Sequence, residues 1–390
     1  MQNRIYLDHN ATTPHAPTLR ARWAELIDIS GNPSSVHFEG RIPKTILREA
    51  RKKISDFLGC SPLEVIFNSG ASEGNSSILH AVFSAATQPR NELLISQVEH
   101  PSLTKAALSL QARGIKVHWI PVNRDGQLDL DFVRTHLSER TALVTVMFAN
   151  NETGSVFPIR ELAAMAHAKG ALMHSDCVQL MGKYDFNFSE LGLDYASFSA
   201  HKFYALKGTG FCYIKNTAPW IPMIFGNQER SRRGGTENVI GIAALNIVLD
   251  EFSNSSAHIA RMKDLRDKME DLILAEIPEV KVTARNSDRV SNTSSLVINK
   301  VDGDTLLMSL DLKGFSVSTG AACSSGSPEP SSVLLAMGLS REEAQSSLRV
   351  SLGWESTEEE TKLFVSCLKE VVSKLRDINS EEMKKQYGTK

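Results

Sequence analysis

Lys202 closes an apolar run, Tyr195-Ala196-Ser197-Phe198-Ser199, within Ser199-Ala200-His201-Lys202. An ammonium group at the end of a core strand costs several kcal/mol unless it is paired or loses its charge. Condensation with an aldehyde removes that charge and gives a reactive imine. For a lone lysine, reaching back to solvent is the plainer account, so the neighbours decide. Asp176 ends a second apolar run, Ala171-Leu172-Met173-His174-Ser175-Asp176. A carboxylate buried there needs a cation, and a protonated pyridine nitrogen is one; a capping role at the strand exit is the alternative. Gln179, three residues on, offers a hydrogen bond to a ring hydroxyl. His100, where a strand gives way to a helix, can stack on a planar ring and exchange protons near neutral pH, or be an ordinary loop histidine.

Other groups follow other strands. In Asn68-Ser69-Gly70-Ala71-Ser72-Glu73-Gly74-Asn75 the glycines permit a tight turn into a helix whose free N–H groups suit a phosphate. The same residues spell Gly-x-Ser-x-Gly, which makes Ser72 the nucleophile of a rival serine-hydrolase reading. No His-Gly-Gly-Gly segment precedes it, and a hydrolase leaves Lys202 unexplained. Asn150-Asn151-Glu152 brings more polar groups to the carboxyl edge of a sheet, where open α/β folds bind ligands. Arg349, in Ser347-Leu348-Arg349-Val350-Ser351, suits a substrate carboxylate or an internal ion pair. Cys323 lies in a Gly/Ser/Pro-rich loop, Gly320-Ala321-Ala322-Cys323-Ser324-Ser325-Gly326, where an exposed thiol is a ready nucleophile.

The elements that must position these groups show in the apolar pattern. Near-continuous apolar runs at 64–68, 92–96, 116–121, 142–148, 171–176, 195–199 and 210–214 read as strands covered on both faces. Helical patterns at 42–58, 73–86, 101–113, 129–136 and 159–169 alternate with them, which makes an α/β doubly wound pattern. A charged amphipathic stretch, 259–277, leads to a second unit with a strand at 295–299, a helix at 305–313 and terminal helices to about residue 374, before a charged tail.

At 390 residues the chain exceeds a single core. With 43 basic against 45 acidic residues and no basic stripe, nucleic acid is not an expected direct partner. No apolar run spans a bilayer, and the expectation is a cytoplasmic protein. Five scattered cysteines make neither a disulfide framework nor a zinc site; Cys60, Cys177, Cys212 and Cys367 read as small core residues.

Taken in order, these motifs resemble the class V, pyridoxal-phosphate-dependent cysteine desulfurases of the nitrogen-fixation and iron–sulfur-cluster type. The resemblance runs from Tyr6-Leu7-Asp8-His9-Asn10-Ala11-Thr12-Thr13 to Arg349-Val350-Ser351-Leu352-Gly353 and includes Gly31-Asn32-Pro33-Ser34-Ser35 and Arg232-Arg233-Gly234-Gly235-Thr236. It implies the aspartate-aminotransferase-like fold type I, with a large mixed-sheet domain over 15–255 and a smaller α+β domain, 1–14 with 256–390, carrying the cysteine loop. Pyridoxal 5'-phosphate would be held on Lys202, with Asp176 at the pyridine nitrogen and His100 on the ring. Gln179 and Asn151 would serve the ring hydroxyl, and Ala71, Ser72, Ser199 and His201 the phosphate, joined by Thr236 of a second subunit in a homodimer. Arg349, with Asn32, would bind L-cysteine, and Cys323 would take its sulfur for an acceptor such as an iron–sulfur scaffold. A selenocysteine lyase or another class V lyase could use the same residues. Asn227 and Ser231 stand where the family usually has glycine, and Cys177 where it usually has alanine.

Overall fold

The computed structural model describes residues 4–84, 90–320 and 329–387. The chain begins with β1 (Ile5–Tyr6) and then lays down a large sheet: β2 (Val65–Asn68), β3 (Glu92–Ser96), β4 (Lys116–Ile120), β5 (Thr141–Thr145), β6 (Leu172–Asp176), β7 (Tyr195–Ser199) and β8 (Gly210–Ile214). Its seven strands run in the order β2-β8-β7-β6-β5-β3-β4. β7, β6, β5, β3 and β4 pair in parallel, while β8 is antiparallel to both neighbours. Parallel neighbours require crossovers, and helices Ala71–Phe83, Pro101–Ala112, Leu130–His136 and Ile159–Ala168 fall between the strands.

Continuous apolar runs have a direct explanation here. Along β3, Leu93 and Ile95 enter one apolar cluster and Leu94 the other; along β8, Cys212 and Ile214 alternate with Phe211 and Tyr213 in the same way. Each sheet face has its own core, so successive side chains must all be apolar.

A third cluster gathers Leu7, Met269, Ile273, Leu296, Leu310, Leu348, Phe364 and Leu368. Its strands are β9 (Val280–Val282), β10 (Thr293–Ile298), β11 (Phe315–Ser316) and β12 (Ser347–Ser351). β12, β10 and β9 form an antiparallel sheet, and β11 pairs with β1. The N-terminus is thereby tied to the far end of the chain. Among the described residues no helix is long and apolar enough to cross a membrane.

Most boundaries match the sequence reading within a residue or two. β2 starts at Val65 because Pro62–Glu64 is a turn of 3-10 helix closed by a Ser61–Glu64 capping box. The final helix, Glu358–Tyr387, passes well beyond residue 374, since Glu381-Glu382-Met383-Lys384-Lys385-Gln386 are strong helix formers with no glycine before Gly388.

Ser231 keeps the backbone a glycine would take, at φ 62°, and extends a left-handed turn from Glu229 (φ 47°) and Arg230 (φ 57°); Asn227 is right-handed, so nothing there calls for glycine. A buried ion pair holds the turn. The Glu229 carboxylate accepts from both terminal nitrogens of Arg51, at 2.9 and 2.7 Å, and from Phe67 N–H at 3.0 Å. Glu229→Ala should cost about 3 to 5 kcal/mol by leaving Arg51 without its counter-charge. Denaturation midpoints of this variant and of Glu229→Gln, which keeps an acceptor for Phe67, measure it; equal midpoints for wild type and Glu229→Ala would refute the argument.

Candidate active site

β7 delivers Ser199, and a 3-10 turn, Ala200–Lys202, carries the lysine past its end. Lys202 Nζ donates to the Asn10 carbonyl at 2.6 Å and the Ala11 carbonyl at 2.8 Å. Beside it opens a cavity of about 350 Å3. Ala71, Ser72, His100, Asn151, Asp176, Gln179, Ser199, His201, Lys202 and Arg349 all line it, together with Asn10, Ala11, Ser102, Met147, Ala149 and Val178. Ten residues singled out by sequence, scattered over 279 positions from Ala71 to Arg349 (349 − 71 + 1), meet in one place. A larger groove of about 690 Å3 lies elsewhere, along Lys300–Asp302, Glu342 and Arg376, and contains none of these groups.

One end of the cavity suits an anion. The helix Ala71–Phe83 begins there after Gly70, at φ 141°, with Ala71 N–H donating 2.8 Å to Ser199 Oγ. A side chain at Gly210 would sit 2.6 Å from the Gly70 Cα, so β8 can approach this turn only as glycine. His201 contacts Thr12 Oγ1 through Nδ1 at 3.1 Å, and burial, with Lys202 next, pulls its pKa down to about 4. It is a neutral hydrogen-bonding group here, not a cation.

At the other side Asp176 is 5% exposed. Its oxygens accept from Asn75 Nδ2 at 2.8 Å and Val178 N–H at 3.0 Å, both neutral donors. His100 caps the helix Pro101–Ala112: Nδ1 accepts from Ser102 N–H at 3.1 Å, which leaves the ring proton on Nε2. Burial, ahead of the opposing pull of Asp176, lowers its pKa and keeps the ring neutral. Arg349 lies on β12 with its side chain 3% exposed, pairs with Asp8 Oδ1 at 2.8 Å and donates to the Asn151 carbonyl at 3.2 Å. Its Nε is buried with no partner among the described residues, a donor set still short of an acceptor.

Three residues fall outside this cluster. Asn32 and Thr236 are exposed and do not line the cavity. Asn32 Oδ1 instead accepts from Ser34 N–H at 2.9 Å. Cys323 lies outside the described residues. The rival nucleophile fares worse: among the described residues no histidine is hydrogen-bonded to Ser72, and its neighbour Glu73 pairs with Arg233 at 2.8 Å. Cys60, Cys177, Cys212 and Cys367 are free thiols, and burial pushes all four upward, Cys60 and Cys212 to about 12, so they are inert.

Sequence reasoning missed the partners that hold these groups. Asp8 was legible only as part of a motif, yet it faces Arg349 across 341 positions. Lys183, four residues after Gln179, reads as a surface lysine and is fully buried behind it, 3% exposed. Asn10 binds across 283 positions to Thr293 and across 341 to Ser351.

An anion-suited helix start, a lysine, a carboxylate served by neutral donors, and an orphaned guanidinium N–H form a donor set that fits pyridoxal phosphate and an amino acid. The mixed sheet with its cavity at the strand ends defines an aspartate-aminotransferase-like enzyme fold. Residues 5–364 match the family described as Aminotransferase class-V. The chain belongs to that family. Its curated relatives include a cysteine desulfurase of Cereibacter sphaeroides, 39% identical over 98% of this chain and 100% of the relative, and one of a Nostoc species, 38% identical over 96% and 94%. A NifS-like protein of known structure superposes with a TM-score of 0.88 at 33% identity, covering 95% of this chain and 99% of the other.

Glu99, beside His100, is fully buried; its Oε1 accepts from Ser96 Oγ at 2.5 Å and Met147 N–H at 2.7 Å, while Oε2 has no partner among the described residues. Burial, with Asp176 adding to it, lifts its pKa from 4.5 to about 8. A carboxyl raised on folding stabilises fully below its unfolded pKa, and that contribution is lost as pH rises through the folded value. Glu99→Gln keeps the Oε1 contacts without the titration. The unfolding midpoint of wild type should therefore fall relative to Glu99→Gln between about pH 5 and 8, by up to about 1.4 kcal/mol per pH unit. Parallel pH profiles of the two proteins would contradict it.

Proposed function

We propose that the chain is a cysteine desulfurase: with pyridoxal 5'-phosphate bound it removes sulfur from L-cysteine, releases L-alanine and leaves a persulfide on Cys323 for an acceptor. The observation that supports this most strongly is the meeting of Lys202, Asp176, His100 and Arg349 in one cavity. When bound, the cofactor supplies an electron sink that lets bonds at the substrate's α- and β-carbons break heterolytically.

The residues divide the remaining work. Lys202 Nζ holds the cofactor and moves the proton at the substrate α-carbon. Asp176 would pair with the pyridine nitrogen and favour its protonated form. His100, neutral, packs on the ring with its N–H on Nε2. Gln179 and Asn151 bind the ring oxygen, and Ala71, Ser72, Ser199 and His201 hold the phosphate at the helix start. Arg349, which lines the cavity, clamps the substrate carboxylate, with Asn32 as a second contact. Cys323 attacks the substrate sulfur: the bond from the β-carbon to sulfur breaks, a sulfur–sulfur bond to Cys323 forms, and the carbon fragment takes up a proton to leave as alanine. The sulfur then passes to an acceptor protein of the iron–sulfur-scaffold kind, in the reducing cytoplasm where such thiols persist.

We also propose a homodimer in which Thr236 of one copy completes the phosphate site of the other. Val36, Phe38, Ile42 and Phe225, between 55% and 96% exposed, are apolar surface for a second copy to cover. Residues 15–255 form the large domain in this reading, and 1–14 with 256–390 the small one.

The purified protein should be yellow, and borohydride should fix the cofactor on Lys202. Cys323→Ala should lose sulfide release from cysteine by at least about 100-fold and stay yellow. Arg349→Gln should raise KM for cysteine about 10- to 100-fold, as expected for a lost charge-assisted hydrogen bond. A selenocysteine assay run beside these distinguishes a lyase of that specificity. A colourless protein that reacts with a phosphonate at Ser72, or sulfide release that survives Cys323→Ala, overturns the reading.

A further inference from the structure

Lys183 belongs to no motif, yet it is a fully buried amine behind the cavity, and among the described residues no carboxylate pairs with it. Its Nζ donates to Asn10 Oδ1 at 3.2 Å and to Gln179 Oε1. Which atom of each amide faces the amine follows from the network. Asn10 Nδ2 is committed to the Asn151 carbonyl at 3.0 Å, an acceptor that cannot be anything else, so Asn10 Oδ1 must face Lys183. Asn292 adds a donor to the same oxygen at 3.1 Å and sends its other N–H to the Leu352 carbonyl, also at 3.1 Å. The chain of amides is therefore polarised towards Lys183 as donor. Burial first, then the charges of Lys202 and Arg349, lowers the Lys183 pKa well below 10.5. The N–H bonds of Lys183 have two acceptor oxygens in place, Asn10 Oδ1 and Gln179 Oε1.

The consequence reaches the cavity. With Oε1 engaged behind, the part of Gln179 left for a ligand is the Nε2 amide, whose protein acceptor is the Asn10 carbonyl at a long 3.4 Å. An unassisted glutamine could turn either its oxygen or its nitrogen to a ligand. We propose that Lys183 is a positioning residue: by holding Gln179 Oε1 it presents the Gln179 N–H to the cavity, so that the site selects a ring carrying an acceptor oxygen at that edge. This rests on the pyridoxal-phosphate reading above and deepens it. Lys183 touches neither cofactor nor substrate and acts only through Gln179.

The test follows the release of pyridoxal phosphate from the purified holoenzyme, read as decay of the visible absorption after dilution into inorganic phosphate, together with the position of that absorption band. Gln179→Ala should release cofactor about tenfold faster, the effect of one hydrogen bond. Lys183→Met should give a similar acceleration and the same displacement of the band. In the Gln179→Ala background, Lys183→Met should add less than about twofold, because its effect has no other route. Unchanged release from Lys183→Met, or an undiminished effect in the Gln179→Ala background, overturns the proposal. Should Lys183→Met not fold, Gln179→Glu decides: it keeps the bond to Lys183 but turns an acceptor oxygen to the cavity, and retention as tight as wild type overturns the assigned orientation. A wild-type protein that takes up no pyridoxal phosphate refutes the functional reading instead, and the two failures are told apart by that control.

Discussion

Two lysines and an arginine meet around one short piece of backbone, from Asp8 to Ala11. Lys202 takes the carbonyls of Asn10 and Ala11, Lys183 the side-chain oxygen of Asn10, and Arg349 the carboxylate of Asp8. Such crowding is tolerable only if the segment is held rigidly, since each amine or guanidinium loses its partner when it drifts. The holding comes from both ends of the chain. Asn10 N–H bonds Ser351 Oγ at 2.9 Å and its Nδ2 bonds Thr293 Oγ1 at 2.7 Å, while Thr13 N–H bonds the His201 carbonyl at 2.9 Å. The N-terminal segment is the clasp between the large sheet and the β10–β12 sheet, and the cavity exists where it closes.

Charge in this neighbourhood is managed by burial as much as by pairing. His9 is pulled down to about 3 by burial, with Lys183 next, and His174 to about 3 by burial alone. Glu152 is lifted to about 7 by burial and hydrogen-bonds Ser331, which caps the helix Ser332–Ala336. Neutral histidines and acids with raised pKa lie around the few charged groups at the cavity. Coulomb interactions there act through a poorly polarisable medium, so a single ion pair such as Asp8–Arg349 carries more weight than it would at the surface.

The sequence disclosed the strands of the large sheet because their chemistry is redundant: two covered faces demand unbroken apolar runs, and those runs ended where β3, β7 and β8 end. It disclosed residues that line the cavity because lysine, aspartate and histidine are costly after such runs, so each stood out against its neighbours. Lys183 and Asp8 stayed hidden for the opposite reason. Lysine four residues from a glutamine is ordinary surface sequence, and nothing local announces that this turn faces inward. Two-residue strands such as β1 have no periodicity to read. Pairings like Ile5 with Phe315 depend on cores that assemble only in three dimensions.

Burial of Lys183 needs a reason beyond packing. A methionine of similar length would fill the space without the cost of taking an amine out of water. What methionine lacks is a donor with no capacity to present a competing carbonyl. Asn10 and Gln179 are both amides with two chemically different ends, and packing alone distinguishes those ends poorly because oxygen and nitrogen have nearly the same size. A buried amine breaks that near-degeneracy, since either amide turned the wrong way would set N–H against N–H in a site closed to water. The cost of the amine is therefore set against the cost of an ambiguous glutamine at the wall of the cavity, where a single rotation exchanges a donor for an acceptor.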